Sequence, residues 1–295
     1  MTVFLQVLVT GVLLGGLYGL FSSGLTLVFG ITRVVNFAHG DFVTLGMYAA
    51  AVFSIDTHGS PLWMLVPVAI AMLILGFLLY RLVLDRTISR PGLVAEDAQT
   101  SQMVLTLAIS ILIANGLLLA YGPESKSARP TLTATYHLGG VVITQSRLVA
   151  FVLACVTFAG LYLLLDRSRF GKAVRATVDD REMAMIVGIS TRRIYTWTFG
   201  VGIMLAGVTG VVFATFYPVT PATGQSFLIT AFVTVVLGGL GSVSGAFVAG
   251  LVVGVIQQAT ATYLSLDLQN VGIFALFVLV LLLRPQGLLA RRALV

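Results

Sequence analysis

The stretch Val3–Phe29, VFLQVLVTGVLLGGLYGLFSSGLTLVF, carries no charged side chain, and Arg33 is the first charge in the chain. Such a run exceeds the roughly 20 apolar residues that cross a hydrocarbon core as a helix. No basic segment precedes it and it is longer than the apolar region of a signal peptide, so it reads as a retained membrane helix. Working outward, further apolar stretches occupy Phe42–Ile55, Leu62–Leu84, Met103–Tyr121, Leu148–Leu165, Ile194–Tyr217, Phe227–Leu240, Ala246–Leu264 and Val271–Leu283. They predict an all-α fold, a polytopic transmembrane helical bundle with about eight to nine membrane segments. Phe42–Ile55 and Phe227–Leu240 are short for a perpendicular span and read as broken or re-entrant helices.

Composition agrees with that reading. Of 295 residues, 58% are hydrophobic and 9% charged, with a mean hydropathy of +1.03. A soluble domain carries roughly a quarter charged residues, so that class is excluded. The apolar runs are also too long for the alternating, roughly ten-residue strands of a membrane barrel. A net charge of +6 would suit nucleic acid, but its distribution suits a membrane. Arg33, residues 81–102, residues 166–193 and the C-terminal tail hold every Lys and Arg except Lys126, Arg129 and Arg147. This bias marks the first group as cytoplasmic. Nine crossings then put the N-terminus outside and the C-terminus inside a cytoplasmic (inner) membrane. Cys155 lies in an apolar stretch and reads as a small buried hydrophobe.

The chain is read as a single transmembrane domain, 1–295, with an external loop at 122–147 and a cytoplasmic loop at 166–193. The external loop contains the β-prone Val141–Thr144 and predicts a small hairpin or lid. Pro61, Pro91 and the sequence Arg284-Pro285-Gln286-Gly287 interrupt or end helices. Phe42-Val43-Thr44 recurs as Phe232-Val233-Thr234, with an odd number of crossings between, which suggests an inverted repeat.

The inventory for catalysis is poor. The sequence has no His-Glu-x-x-His or Cys-x-x-Cys spacing and no Gly-x-Ser-x-Gly elbow, so no metal site and no enzyme activity are expected. The run Gly238, Gly239, Leu240, Gly241, Ser242, Val243, Ser244, Gly245 lacks the Lys-Ser/Thr ending of a phosphate loop. Inside an apolar region it reads as close helix packing or a chain break, with a mobile helix beside a translocation path as the functional version. Asn36, Phe37, Ala38, His39, Gly40 and Asp41 place polar groups at a membrane boundary, where burial is costly. Either Asn36 or Asp41 caps the following helix, or these groups make a substrate contact. In the cytoplasmic loop, Asp179 and Asp180 offer an N-cap, Glu182 complements the helix dipole, and Gly188 suits the left-handed position past the end. Between them Arg181–Val187 makes about two turns with an apolar face of Met183, Ala184, Ile186 and Val187.

Four motifs, Asn36-Phe-Ala-His-Gly-Asp41, Gly171-Lys-Ala-Val-Arg-Ala176 leading to Gly188-Ile189, Val236-Leu-Gly-Gly-Leu-Gly-Ser242 with Gly245, and Leu283-Arg-Pro-Gln-Gly287, occur in order along almost the whole chain. Together they resemble the LivH-type permease of branched-chain amino acid ABC importers. The resemblance implies a LivM-type second permease subunit or a second copy of this chain, two cytoplasmic ATPases and an external substrate-binding protein. It implies no cofactor on this chain, with ATP and Mg held by the ATPases, since no Walker motif is present. It also makes the loop Gly171–Gly188, with Glu182, Ala184 and Gly188 among its residues, the family's coupling segment, in which Arg175, Asp179, Asp180 and Arg181 orient docking and Met183, Ile186 and Val187 supply buried area.

The cargo is weakly constrained. Members of the wider family carry branched-chain amino acids, urea, short amides, or aromatic and aliphatic carboxylates. An ion-coupled secondary transporter is the alternative, for which Asp41 is the one acid near a span start; a channel would need a filter or charged ring that the sequence does not display.

Overall fold

The computed structural model describes residues 2–88, 95–284 and 287. Every apolar stretch named above folds mainly as helix, with Ile194–Tyr217 and Phe227–Leu240 running a few residues past the ends of theirs. Among the described residues six helical segments are long and apolar enough to cross a membrane, and Thr223–Gly238 and Gln269–Leu283 are shorter apolar helices. The path begins with α1 (Thr2–Thr32), α2 (His39–Thr57) and α3 (Leu65–Leu79). A 3-10 turn at Pro61–Met64 leads into α3, and a π-helical segment, Tyr80–Leu84, leads out of it into α4 (Asp85–Ile88). Ser60 caps that turn by accepting a hydrogen bond from the Leu62 N–H, with Pro61 at the first position, where its missing N–H costs nothing.

The long helix α5 (Ala95–Tyr121) is followed by β1 (Thr135–Leu138), β2 (Val141–Thr144) and α6 (Gln145–Arg167). The strands pair antiparallel, Thr135 opposite Thr144, so the expected hairpin is present. Gly139 and Gly140, both at positive φ, form its two-residue turn, since that turn needs left-handed backbone at both positions. Next come α7 (Arg169–Asp179), α8 (Arg181–Ile186), α9 (Thr191–Phe213), α10 (Thr223–Gly238), α11 (Val243–Tyr263) and α12 (Gln269–Leu283). Pro91, Pro285 and Gln286 lie outside the described residues.

Small residues set the packing. In a bilayer no hydrophobic gain separates helix contact from lipid contact, so close backbone approach must drive association. A Cβ on Gly11 would sit 2.6 Å from the Val255 Cα, and one on Gly15 would sit 2.6 Å from the Leu251 Cα. Gly250 and Gly254 answer from α11 against Gly19 and Gly15. These pairings make α1 and α11 antiparallel, and the Ser23 hydroxyl closes the series by donating to the Val243 carbonyl at 3.3 Å. Helix α9 lies at the centre, buried along most of its length, with Gly200 against Gly76 of α3, Gly202 against Gly24 of α1, and Gly207 and Gly210 against α2.

The two short helices begin inside the bundle. After α1 ends, Arg33 adopts a left-handed φ of 54° and the chain doubles back. His39 then stacks on Phe21 at 5.0 Å, about three turns before the end of α1. His39, Gly40 and Asp41 form the first turn of α2. In the same way α10 starts at Thr223, against the start of α2: a Cβ on Gly224 would lie 2.8 Å from the Gly40 carbonyl carbon. This junction matches Ala38-His39-Gly40 with Ala222-Thr223-Gly224. It differs in register from the Phe-Val-Thr match, because Phe232 lies deeper into α10 than Phe42 does into α2.

Candidate functional site

One end of the bundle carries α7 and α8. The Ser168 side chain accepts from the Gly171 N–H at 3.0 Å and caps α7. Gly171 is required there because a Cβ would collide with the Leu165 carbonyl. Arg175 reaches the same helix end: its Nη1 donates to the Leu165 carbonyl at 2.6 Å and its Nη2 to the Asp166 carbonyl at 3.3 Å. A guanidinium on the last carbonyls of α6 satisfies acceptors that have no helical partner and complements the dipole. Arg175 thus fixes α7 to the end of α6.

Asp180 is the cap of α8; its Oδ1 accepts from the Glu182 N–H at 2.9 Å and the Met183 N–H at 3.0 Å. Asp179 instead ends α7. At the other end Gly188, with φ +88°, donates to the Met185 carbonyl at 3.0 Å, and Ile189 donates to the Ala184 carbonyl at 2.9 Å. That pair of bonds is a Schellman closure, which needs a left-handed residue at Gly188. The apolar side chains point outward: Met183 is 61% exposed, Ile186 76% and Val187 74%. Met185 is exposed as well and was not read from the sequence. Ala184, expected on that face, is buried and seats α8 on the bundle. The Arg181 guanidinium lies over the Tyr195 ring at 5.4 Å, tying α8 to the first turns of α9. A cavity of about 600 Å³ opens beside these elements, bounded by Gly30 to Arg33 at the end of α1 and by Asp179, Asp180, Arg181 and Glu182.

The second group is the junction of α2 with α10. Asn36 makes the local cap, its Oδ1 accepting from the Ala38 N–H at 3.1 Å. His39 is buried, with Nε2 3.4 Å from the Phe21 carbonyl oxygen and its Nδ1 without a partner. The carboxylate of the buried Asp41 meets the Ser110 hydroxyl of α5 and its own backbone N–H in the first turn of α2, and lies against Gly224. Thus residues of the first motif gather α1, α2, α5 and α10 around one polar spot inside the bundle. No group of His, Cys, Asp and Glu among the described residues could hold a metal ion.

The glycine run closes a tight turn between α10 and α11. Gly238 and Gly245 are in backbone contact, and a Cβ on Gly238 would lie 2.5 Å from the Ala246 nitrogen. Gly239 and Gly241 have φ of 100° and 90°. The Ser242 side chain caps α11 by accepting from the Gly245 N–H at 3.1 Å. Gly239 is also the seat of Gly287, whose Cβ would lie 2.6 Å from the Gly239 nitrogen. The local geometry is that of a chain break with close packing. The stripe Gly11, Gly15, Gly19 was missed by sequence reasoning, although its four-residue spacing was visible.

A bundle of apolar helices with interior helix starts and an exposed, doubly capped helix at one end defines a multi-pass membrane transport protein. The family model for the branched-chain amino acid transport system permease component matches residues 7–283. The chain belongs to that family, the membrane subunits of ATP-binding-cassette importers. It is 33% identical over 301 residues to the high-affinity branched-chain amino acid transport system permease protein LivH of Salmonella typhimurium, covering 98% of this chain and 96% of the relative. The corresponding permease protein BraD of Pseudomonas aeruginosa is also 33% identical, with the same coverage. The permease protein LivM of Escherichia coli is 26% identical over 305 residues, covering 92% of this chain and 68% of LivM. No solved structure matches the chain significantly.

Proposed function

We propose that this chain is the LivH-type half of an importer that moves branched-chain amino acids, or a related small polar or carboxylate solute, inward across the cytoplasmic membrane. The observation that carries the proposal is the exposed face Met183, Met185, Ile186 and Val187 on a helix whose two ends are both capped. Four apolar side chains held rigidly outward at a polar end of the molecule need a protein partner. Two ATPase subunits, with ATP and Mg bound to them, are that partner, and an external binding protein delivers the cargo. The likeness to both LivH and LivM supports a heterologous pair of permeases. In this reading α7 and α8 face the cytoplasm, the hairpin faces outside, and N- and C-termini lie outside and inside respectively.

Coupling follows from the attachments. α8 is held to α9 through Arg181 over Tyr195 and through the Schellman turn, and α9 is packed against α1, α2 and α3. A displacement of α8 by ATPase closure is therefore transmitted to the polar junction of α2 and α10, which would line the path as it alternates between openings. Asn36, His39, Gly40 and Asp41 are the path residues in this scheme. Extraction with native neighbours in mild detergent, mass identification of the copurifying chains and an ATPase assay test it. Recovery of a P-loop ATPase stimulated by binding protein and cargo is expected. Isolation of this chain alone, with transport driven by an ion gradient, would replace the proposal with the secondary-transporter alternative.

A further inference from the structure

A cavity of about 490 Å³ opens between the end of α3 and the start of α9, lined by Phe77 and Arg81 on one side and by Ser190, Arg192, Arg193 and Trp197 on the other. Three guanidinium groups share this cleft. Of the three, Arg192 is paired: the Asp85 carboxylate accepts from its Nε at 2.6 Å and pairs with its Nη2. Arg81 and Arg193 form no ion pair among the described residues.

Two features place the cleft at a lipid margin. Trp197 is 43% exposed and packs edge-on against Phe77 at 4.5 Å, the position in which an indole sits at headgroup depth. Along α3, Val66, Ile70, Ile74 and Leu78 are exposed at four-residue spacing, and Leu82 continues the ridge to the level of Arg81. We infer that this cleft binds the phosphate of an anionic phospholipid, with an acyl chain lying along the α3 ridge. Guanidinium forks match phosphate oxygens in pairs, and basic pockets between membrane helices suit such headgroups. A free phosphate would use the arginines and leave the ridge unused.

Native mass spectrometry of the delipidated full-length chain tests the site, with dioleoylphosphatidylglycerol, dioleoylphosphatidylcholine and inorganic phosphate as probes. The wild-type protein is expected to retain phosphatidylglycerol at concentrations about tenfold below those needed for phosphatidylcholine. That preference should disappear in an Arg81→Gln, Arg193→Gln double variant, which leaves the Asp85–Arg192 pair in place. The wild-type comparison of the two lipids needs no variant and so does not depend on the variant's folding. Equal retention of both lipids, or an unchanged preference in a folded variant, would overturn the site. Displacement of phosphatidylglycerol by inorganic phosphate at equal potency would overturn the lipid as its ligand.

Discussion

Ile186 offers a test of the docking face whose size can be worked out beforehand. The side chain is 76% exposed in the isolated chain. Complete burial of an isoleucine is worth about 1.5–3 kcal/mol, so covering the remaining three-quarters leaves about 1–2 kcal/mol for a partner to gain. Ile186→Ala forfeits most of that, and 1.4 kcal/mol is a factor of about ten, so the dissociation constant for the ATPase should rise about tenfold. Ile186→Asp also forces a carboxylate out of water, and its loss should be larger. Neither change should destabilise the chain, because α8 is held by Asp180, by the Gly188 turn and by buried Ala184. The assay is titration of purified ATPase onto the reconstituted permease pair, with stimulated ATP hydrolysis measured alongside thermal unfolding. Unchanged affinity and stimulation in Ile186→Asp would refute the docking face. A fall in affinity matched by a fall in melting temperature would assign the residue to folding instead.

Three further outcomes are expected. Gly15→Leu should lower the yield of folded protein by overpacking α1 against the α11 backbone, at a cost of about 1–3 kcal/mol or more, whereas Gly160→Leu, where a Cβ meets nothing within 4 Å, should be silent in the same detergent-stability assay. Gly238→Leu should be worse than Gly241→Leu on thermal unfolding, because Gly238 is in backbone contact while a Cβ on Gly241 finds only the Gly30 Cα at 4.0 Å and the penalty there is its positive φ. In a Cys155→Ser background, His137→Cys should react with an impermeant maleimide on intact cells and Lys172→Cys only after permeabilisation; the reverse pattern would invert the proposed orientation.

The helices were legible because each apolar run is long enough to leave no other solution in a bilayer. Boundaries were less so. The apolar stretch begins at Phe42, and the polar residues ahead of it were read as opening that helix; that His39 and Asp41 are buried there, held by Phe21 and Ser110 on other helices, is something no local pattern reveals. The α8 segment was read nearly as it stands, since capping is a local matter: Asp180 and Gly188 act within a few residues of themselves. The direction of each side chain was not, because Ala184 is turned inward by contact with the rest of the bundle. The contacts of Arg175 were hidden for the same reason. Its partner carbonyls at Leu165 and Asp166 become neighbours only once α7 folds back on α6. Glycine spacing held more information than was taken from it. The eye-catching cluster at Gly238–Gly245 proved to be a turn, while the sparser stripe on α1 sets the longest helix contact.

Gln6 gives the outer hairpin a mechanical role. Its amide nitrogen donates to the Val142 carbonyl at 2.8 Å and its amide oxygen accepts from the Val142 N–H at 2.7 Å, so one side chain stands in for a neighbouring strand. The open edge of β2 is thereby occupied at its centre, which removes a template for pairing with another chain. The hairpin also cannot swing as a loose flap, because two parallel bonds hold it to the start of α1 and β2 runs without a break into α6. At its far end α6 is gripped by Arg175 and Ser168. It is thus a strut of about 35 Å anchored at both ends, from 23 residues at 1.5 Å each. Any tilt imposed on α7 and α8 must therefore reappear at the hairpin, on the opposite side of the bundle.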